Sequence, residues 1–128
     1  MIELTIENLI QIPPKAGVYR IFALRNKLPI SINRFAKIDN TGLLYIGQTS
    51  GQTLRKRAYN FLATSRSDSN TKNHSGALKY RLIPIIQQIL ADHKLYFDFE
   101  ICENPLFRER ELIGNYKSIF GECPILNK

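Results

Sequence analysis

Apolar and polar residues alternate over residues 95–101. Leu95, Phe97, Phe99 and Ile101 fall on one side, and Tyr96, Asp98 and Glu100 on the other. A period of two predicts a half-exposed strand. Residues 17–23 predict another, with Val18, Arg20 and Phe22 on one face and Tyr19 and Ile21 on the opposite one. Residues 43–46, between Gly42 and Gly47, predict a third strand, short and buried. Tyr19 and Tyr45 then lie on neighbouring strands, roughly 5 Å apart in the pairing direction if they are in register.

Elsewhere the period is helical. Residues 48–52 are small and polar, hence a turn, and Thr53 is a good N-cap for a helix buried through Leu54, Ala58 and Phe61. From Ser75 onward Leu78, Leu82, Ile85, Ile86 and Ile89 form one apolar stripe, which Pro84 should kink or split in two. Asn104 followed by Pro105 is an N-cap with proline at the first helical position, opening a last helix to about Phe120. Residues 1–11 predict a short helix capped at Thr5 and ended by Pro13 and Pro14, and residues 63–73 a Ser/Thr/Asn-rich loop. Residues 24–41 hold Pro29, a candidate strand at 30–35 and a turn at 39–42. The pattern as a whole predicts one mixed α/β (α+β) domain over residues 1–128.

Charge sharpens the picture. Residues 1–81 carry 13 Lys/Arg against 4 Asp/Glu, whereas residues 82–128 carry 5 against 7, within a net charge of +7. One basic half points to a polyanion, nucleic acid first. Glu3 and Glu7 interrupt the apolar N-terminus, so it is not a signal peptide, and no apolar run approaches membrane-spanning length. The two cysteines, Cys102 and Cys123, have neither metal-ligand spacing nor the density of a disulfide framework, which fits a reduced, cytoplasmic protein without a membrane partner.

Two stretches carry candidate chemistry. Residues 42–57 run from a strand through a polar turn to a helix that starts with Arg55, Lys56 and Arg57, an arrangement suited to phosphate. On the last helix, steps of about 100° per residue put Glu109 in the middle of the apolar face with Leu106, Leu112, Ile113, Tyr116 and Phe120, and Glu111 on the solvent side. A carboxylate there needs compensation. A structural ion pair with an arginine is one reading, and a metal ligand or catalytic group the other.

These residues match a family pattern. Gly17-Val18-Tyr19, Tyr45-Ile46-Gly47, LRKR at 54–57, Glu109 with Leu112, Ile113 and Tyr116 behind it, and Pro124-Ile125-Leu126-Asn127 resemble, in order, the GIY-YIG nuclease domain. The nearest look-alikes are the nuclease domain of the excision-repair incision protein and the homing and restriction endonucleases. The resemblance implies a three-stranded, mainly antiparallel central sheet flanked by helices, with residues 24–41 as an insertion. It implies Tyr19 and Tyr45 as the active-site tyrosines, Arg57 as the catalytic arginine, Glu109 as the metal ligand and Asn127 as a brace. His74 looks like the histidine of the homing and restriction branches. Gln48 stands where the repair branch has lysine, and Phe61 where a His or Tyr is common, so His74 or Tyr59 are the candidates to substitute.

The activity implied is metal-dependent hydrolysis of DNA phosphodiester bonds. A single carboxylate without a companion cluster suits Mg²⁺, with Mn²⁺ as the alternative, whereas Zn²⁺ requires more His or Cys. Arg57 offers a planar fork to the charge that builds on the phosphate. One tyrosine deprotonates the attacking water and the other orients it. Tyr19 is the favoured base, because Gln48 offers no cation beside Tyr45. Arg55, Lys56, Gln48, Tyr59 and Lys72 are expected to contact DNA. The other readings are a nucleic-acid-binding module without turnover and a subunit active only with a partner protein. With no separate DNA-binding domain in the sequence, targeting falls to the insertion, an oligomer or a second protein.

Overall fold

The computed structural model describes residues 1–66 and 74–127. Its centre is an antiparallel sheet built on β2 (Gly17–Arg25), flanked by β6 (Leu43–Gln48) on one side and β7 (Lys94–Ile101) on the other. β1 (Ile2–Glu3) lines the outer edge of β7, and β3 (Leu28–Pro29) folds back onto the end of β2. The sheet therefore has five strands rather than three. β4 (Ile32–Asn33) and β5 (Ile38–Asp39) form a separate two-stranded ribbon within residues 24–41.

The N-terminal segment corrects the expected helix. Ile2 pairs with Phe97 and Glu3 with Tyr96, and only Glu7–Gln11 is helical, as a 3-10 turn. Thr5 does act at its start, its Oγ1 accepting the Asn8 N–H at 3.2 Å. β2 runs two residues past its expected end, and Asn26 and Lys27 then turn the chain into β3 with φ of 52° and 64°. Two successive left-handed residues twist the backbone as a tight antiparallel hairpin requires.

The helices behave more as predicted. Thr53 Oγ1 accepts the Lys56 N–H, opening α1 (Leu54–Ser65), whose Leu54, Ala58 and Phe61 are fully buried. Residues 63–65 belong to this helix, not to a loop, while residues 67–73 lie outside the described set. Pro84 splits the next region into α2 (Ser75–Leu82) and α3 (Pro84–Ile89). The expected stripe does not survive the split. Ile86 is buried but Leu82 is exposed, because the break at Ile83 resets the helical phase; the side chains of Ile85 and Ile89 lie outside the described set. α4 (Pro105–Phe120) starts at Asn104, whose Oδ1 accepts the Phe107 N–H at 3.3 Å.

The sheet is packed on both faces. Tyr19, Ile21, Ala23 and Phe97 meet α1, α2 and the N-terminal segment. Phe22, Leu24, Leu43 and Ile46 meet α4 through Leu112, Ile113, Tyr116 and Phe120. Tyr96 also packs on the α4 side, so the polar face of β7 is half covered, and Ile101 at its end is exposed. The 24–41 segment is tied to the C-terminal end of α4. The Ala36 N–H donates to Phe120 O, the Phe35 N–H to Glu122 Oε2, and Tyr116 Oη to the buried Asp39. Among the described residues no helix is long and apolar enough to cross a membrane.

Candidate active site

The pairing of β2 and β6 sets the site. Tyr19 lies opposite Gly47 and Tyr45 opposite Ile21, so the tyrosines are diagonal neighbours, their ring centroids 6.1 Å apart, and not a directly facing pair. Between Tyr45 and Leu43 the register slips by one residue. That bulge lets Leu44 and Tyr45, consecutive in sequence, both reach the core on the α1 side. Gly47 lies beneath both rings. A Cβ there would sit 2.5 Å from Tyr19 Cζ and 2.6 Å from Tyr45 Cε2, so no larger residue fits without moving the tyrosines. Gly76 plays the same part from α2, where a Cβ would come within 2.7 Å of the Tyr45 ring.

His74 joins the tyrosines to α2. It is the N-cap, fully buried, and its Nδ1 accepts the Ala77 N–H at 3.3 Å. Burial pushes its pKa down to about 3, with Arg57 acting in the same direction, so the ring is neutral. With Nδ1 accepting, this hydrogen-bond network assigns the proton to Nε2, which donates to Tyr19 Oη at 2.7 Å. Arg57 Nε donates to the same oxygen at 3.4 Å. Tyr19 Oη thus faces two donors in a closed position, the residue being 1% exposed. Burial drives its pKa up, with Tyr45 adding to the rise and Arg57 opposing it.

Tyr45 is the tyrosine that opens outward. It is half-buried and lines a cleft of about 320 Å³ with Ser75 and Lys79 of α2, Glu109, Ile113 and Lys117 of α4, and Asn127. Burial raises its pKa too, while Arg57 and a hydrogen bond to Ser75 lower it. Glu109 is half-buried on the cleft wall, and burial raises its pKa against the pull of Arg110 and Arg57. Among the described residues no cation lies within 4.0 Å of it. A structural ion pair therefore does not account for its position. Glu111, on the outer side, pairs with Arg108.

Asn127 holds the strand beneath Tyr45. Its Oδ1 accepts the Ile46 N–H at 3.0 Å and its Nδ2 donates to Ile46 O at 2.9 Å, as a neighbouring strand would. Tyr19, Tyr45, Arg57, His74, Glu109 and Asn127 are thus brought together. The expected DNA contacts are not gathered there. Arg55 is committed to the N-terminal segment, Nε donating to Ile12 O at 2.8 Å and a terminal nitrogen to Ile10 O at 3.2 Å. The Gln48 Oε1 accepts the Ser50 N–H within its own turn. Lys56 lies over the Tyr59 ring, the two lining a shallow cleft with Leu9 on the outer side of α1. Lys72 lies outside the described residues.

The sequence reading missed Ser75, Lys79 and Lys117. The signal for Lys117 was present, since Glu109, Ile113 and Lys117 recur at intervals of four and share one face of α4. Nothing comparable marked Lys79. No family model, curated protein or solved structure matches the chain.

Proposed function

We propose that the protein is a metal-dependent endonuclease of the GIY-YIG type, which hydrolyses DNA phosphodiester bonds in the cleft between Tyr45 and Glu109. One observation carries the reading: Tyr45 of β6, Ser75 and Lys79 of α2, and Glu109 and Lys117 of α4 line a single cleft, with the hydrogen-bonded set of Tyr19, His74 and Arg57 packed behind Tyr45. Buried tyrosines usually serve packing alone. Here two of them share their surroundings with an arginine, a neutral histidine and a carboxylate that has no ion-pair partner among the described residues.

Glu109 is the single carboxylate on the cleft wall, with open volume in front of it. That donor set fits Mg²⁺ or Mn²⁺, which keep several waters and accept phosphate oxygens as ligands. Among the described residues no group of three His, Cys, Asp or Glu side chains offers a closed cage, as Zn²⁺ would want. When bound, the cation supplies charge neutralisation at the phosphate. Arg57, held by Tyr19 Oη, would add its guanidinium to that neutralisation.

Burial moves the favoured base from Tyr19 to Tyr45. The enclosed Tyr19 hydroxyl, already facing two donors, positions Arg57, whereas the Tyr45 ring lines the space where an attacking water would stand. Tyr45 would act as the phenolate, a form that Ser75 and Arg57 favour, taking that water's proton to become the neutral phenol as the hydroxide attacks phosphorus. Incubating supercoiled plasmid with the protein and Mg²⁺ tests the reading. Nicking by the parent and none by Glu109→Gln is expected; equal nicking by both would refute it.

A further inference from the structure

The cleft does not stop at Asn127. A second opening of about 510 Å³ shares Lys117, Cys123 and Asn127 with it and continues to Arg34 in the insertion. The two together form one groove, leading from Glu109 to the β4–β5 ribbon. Its walls carry three cations beside the carboxylates of Glu109 and Glu122. Lys79 comes from α2, Lys117 from α4 and Arg34 from the insertion.

Arg34 is the least expected of the three. Its side chain is only 10% exposed, with a terminal nitrogen 2.9 Å from Glu122 Oε1 and 2.7 Å from Cys123 O. Its Nε is buried and has no hydrogen-bond partner among the described residues. Next to it Phe35 is 77% exposed, held by its own backbone N–H on Glu122 Oε2. Cations lining a groove, with an exposed ring next to Arg34, suit a phosphate backbone with stackable bases.

We infer that this groove binds the sugar–phosphate backbone of the substrate strand, with Lys79 and Lys117 contacting phosphates beside the scissile one and Arg34 a phosphate farther along. The 24–41 insertion is then part of the substrate-binding surface. The assignment rests on reading the cleft as a nuclease site, but binding can be measured apart from hydrolysis.

Fluorescence anisotropy in EDTA, over a salt series, with a labelled mixed-sequence duplex and with its single strand, provides the test. Lys79→Ala and Lys117→Ala should each make the slope of log affinity against log salt shallower by about 0.9 on duplex or about 0.7 on single strand. Lys94→Ala, on β7 and two strands removed from β6, should leave it unchanged. Because Arg34 also pairs with Glu122, Arg34→Gln is compared with Glu122→Gln. Both lose the ion pair, and only Arg34→Gln should lower the slope. Unchanged slopes for Lys79→Ala and Lys117→Ala, or an equal drop for Lys94→Ala, would overturn the groove. Slope changes in a protein that never nicks plasmid would keep the groove and remove the hydrolysis; nicking with unchanged slopes would do the reverse.

Discussion

Replacing His74 by Asn separates its electrostatic role from its capping role. Asparagine still offers a side-chain oxygen to the Ala77 N–H, but it cannot titrate. In the parent, His74 is fully buried and its pKa lies near 3, against an ordinary value of 6.5. Below about pH 6.5 the unfolded chain therefore takes up a proton that the folded protein refuses. The stability is complete above that pH and is lost as pH falls, by about 1.4 kcal/mol per pH unit. Urea unfolding in steps between about pH 5 and pH 7 covers a window in which carboxylates contribute little. Burial lowers the pKa of His93 as well, beside Tyr80, and contributes a slope of the same sign. His74→Asn should lower stability at every pH, since the ring packs against Tyr19, Tyr45 and Phe61. Its pH dependence should nonetheless be flatter than the parent's by close to one proton. Parallel curves would mean that His74 accepts its proton in the folded state, and the assignment of Nε2–H to Tyr19 would fall with it.

Other substitutions probe the site directly. Tyr45→Phe should stay folded and lose both most of the nicking activity and the alkaline rise in single-turnover rate that the raised pKa of Tyr45 predicts; Tyr19→Phe should lose activity but keep that rise. Identical pH–rate profiles would refute the division between them. Arg57→Ala should lower turnover by at least about 10²-fold. Arg55→Ala should instead cost about 1–3 kcal/mol of stability, by stripping the Ile10 and Ile12 carbonyls of a charged donor, with single-turnover rates close to the parent's. Gly47→Ala, whose methyl would meet both tyrosines, should cost about 1–3 kcal/mol as overpacking and abolish activity in the fraction that folds, read by thermal melting and plasmid nicking.

Much of this architecture is legible in the sequence because it is local. Thr53, Asn104-Pro105 and Pro84 fix helix boundaries through chemistry within four residues, and alternation alone sorts the faces of β2 and β7. What escaped depends on distant partners. Ile2 and Glu3 become a strand only because the edge of β7, more than ninety residues later, is there to pair with them. The β2–β3 hairpin turns through Asn26-Lys27, and a lysine at positive φ announces no turn. The site shows the same division. Tyr19 and Tyr45 are readable as strand neighbours, but their diagonal offset follows from the register that pairs Tyr19 with Gly47, which periodicity does not encode. Arg55 and Arg57 look equivalent in sequence; only the position of the 3-10 turn gives one to the N-terminal segment and leaves the other beside Tyr19.

The Asn127 clamp also bears on how the sheet edge is shielded from other strands. A sheet edge with bare N–H and C=O groups invites strands from other molecules. On the β6 side, the Leu126 N–H takes Leu44 O at 2.9 Å and one carboxamide satisfies both polar groups of Ile46. On the opposite side the sheet ends in the two residues of β1, too short to template much. An Asn127→Asp carboxylate could still accept from Ile46 N but could no longer donate to Ile46 O. That exchange of one nitrogen for oxygen would free the Ile46 carbonyl at the edge, and β-rich self-association that grows with concentration should follow before any loss of the core.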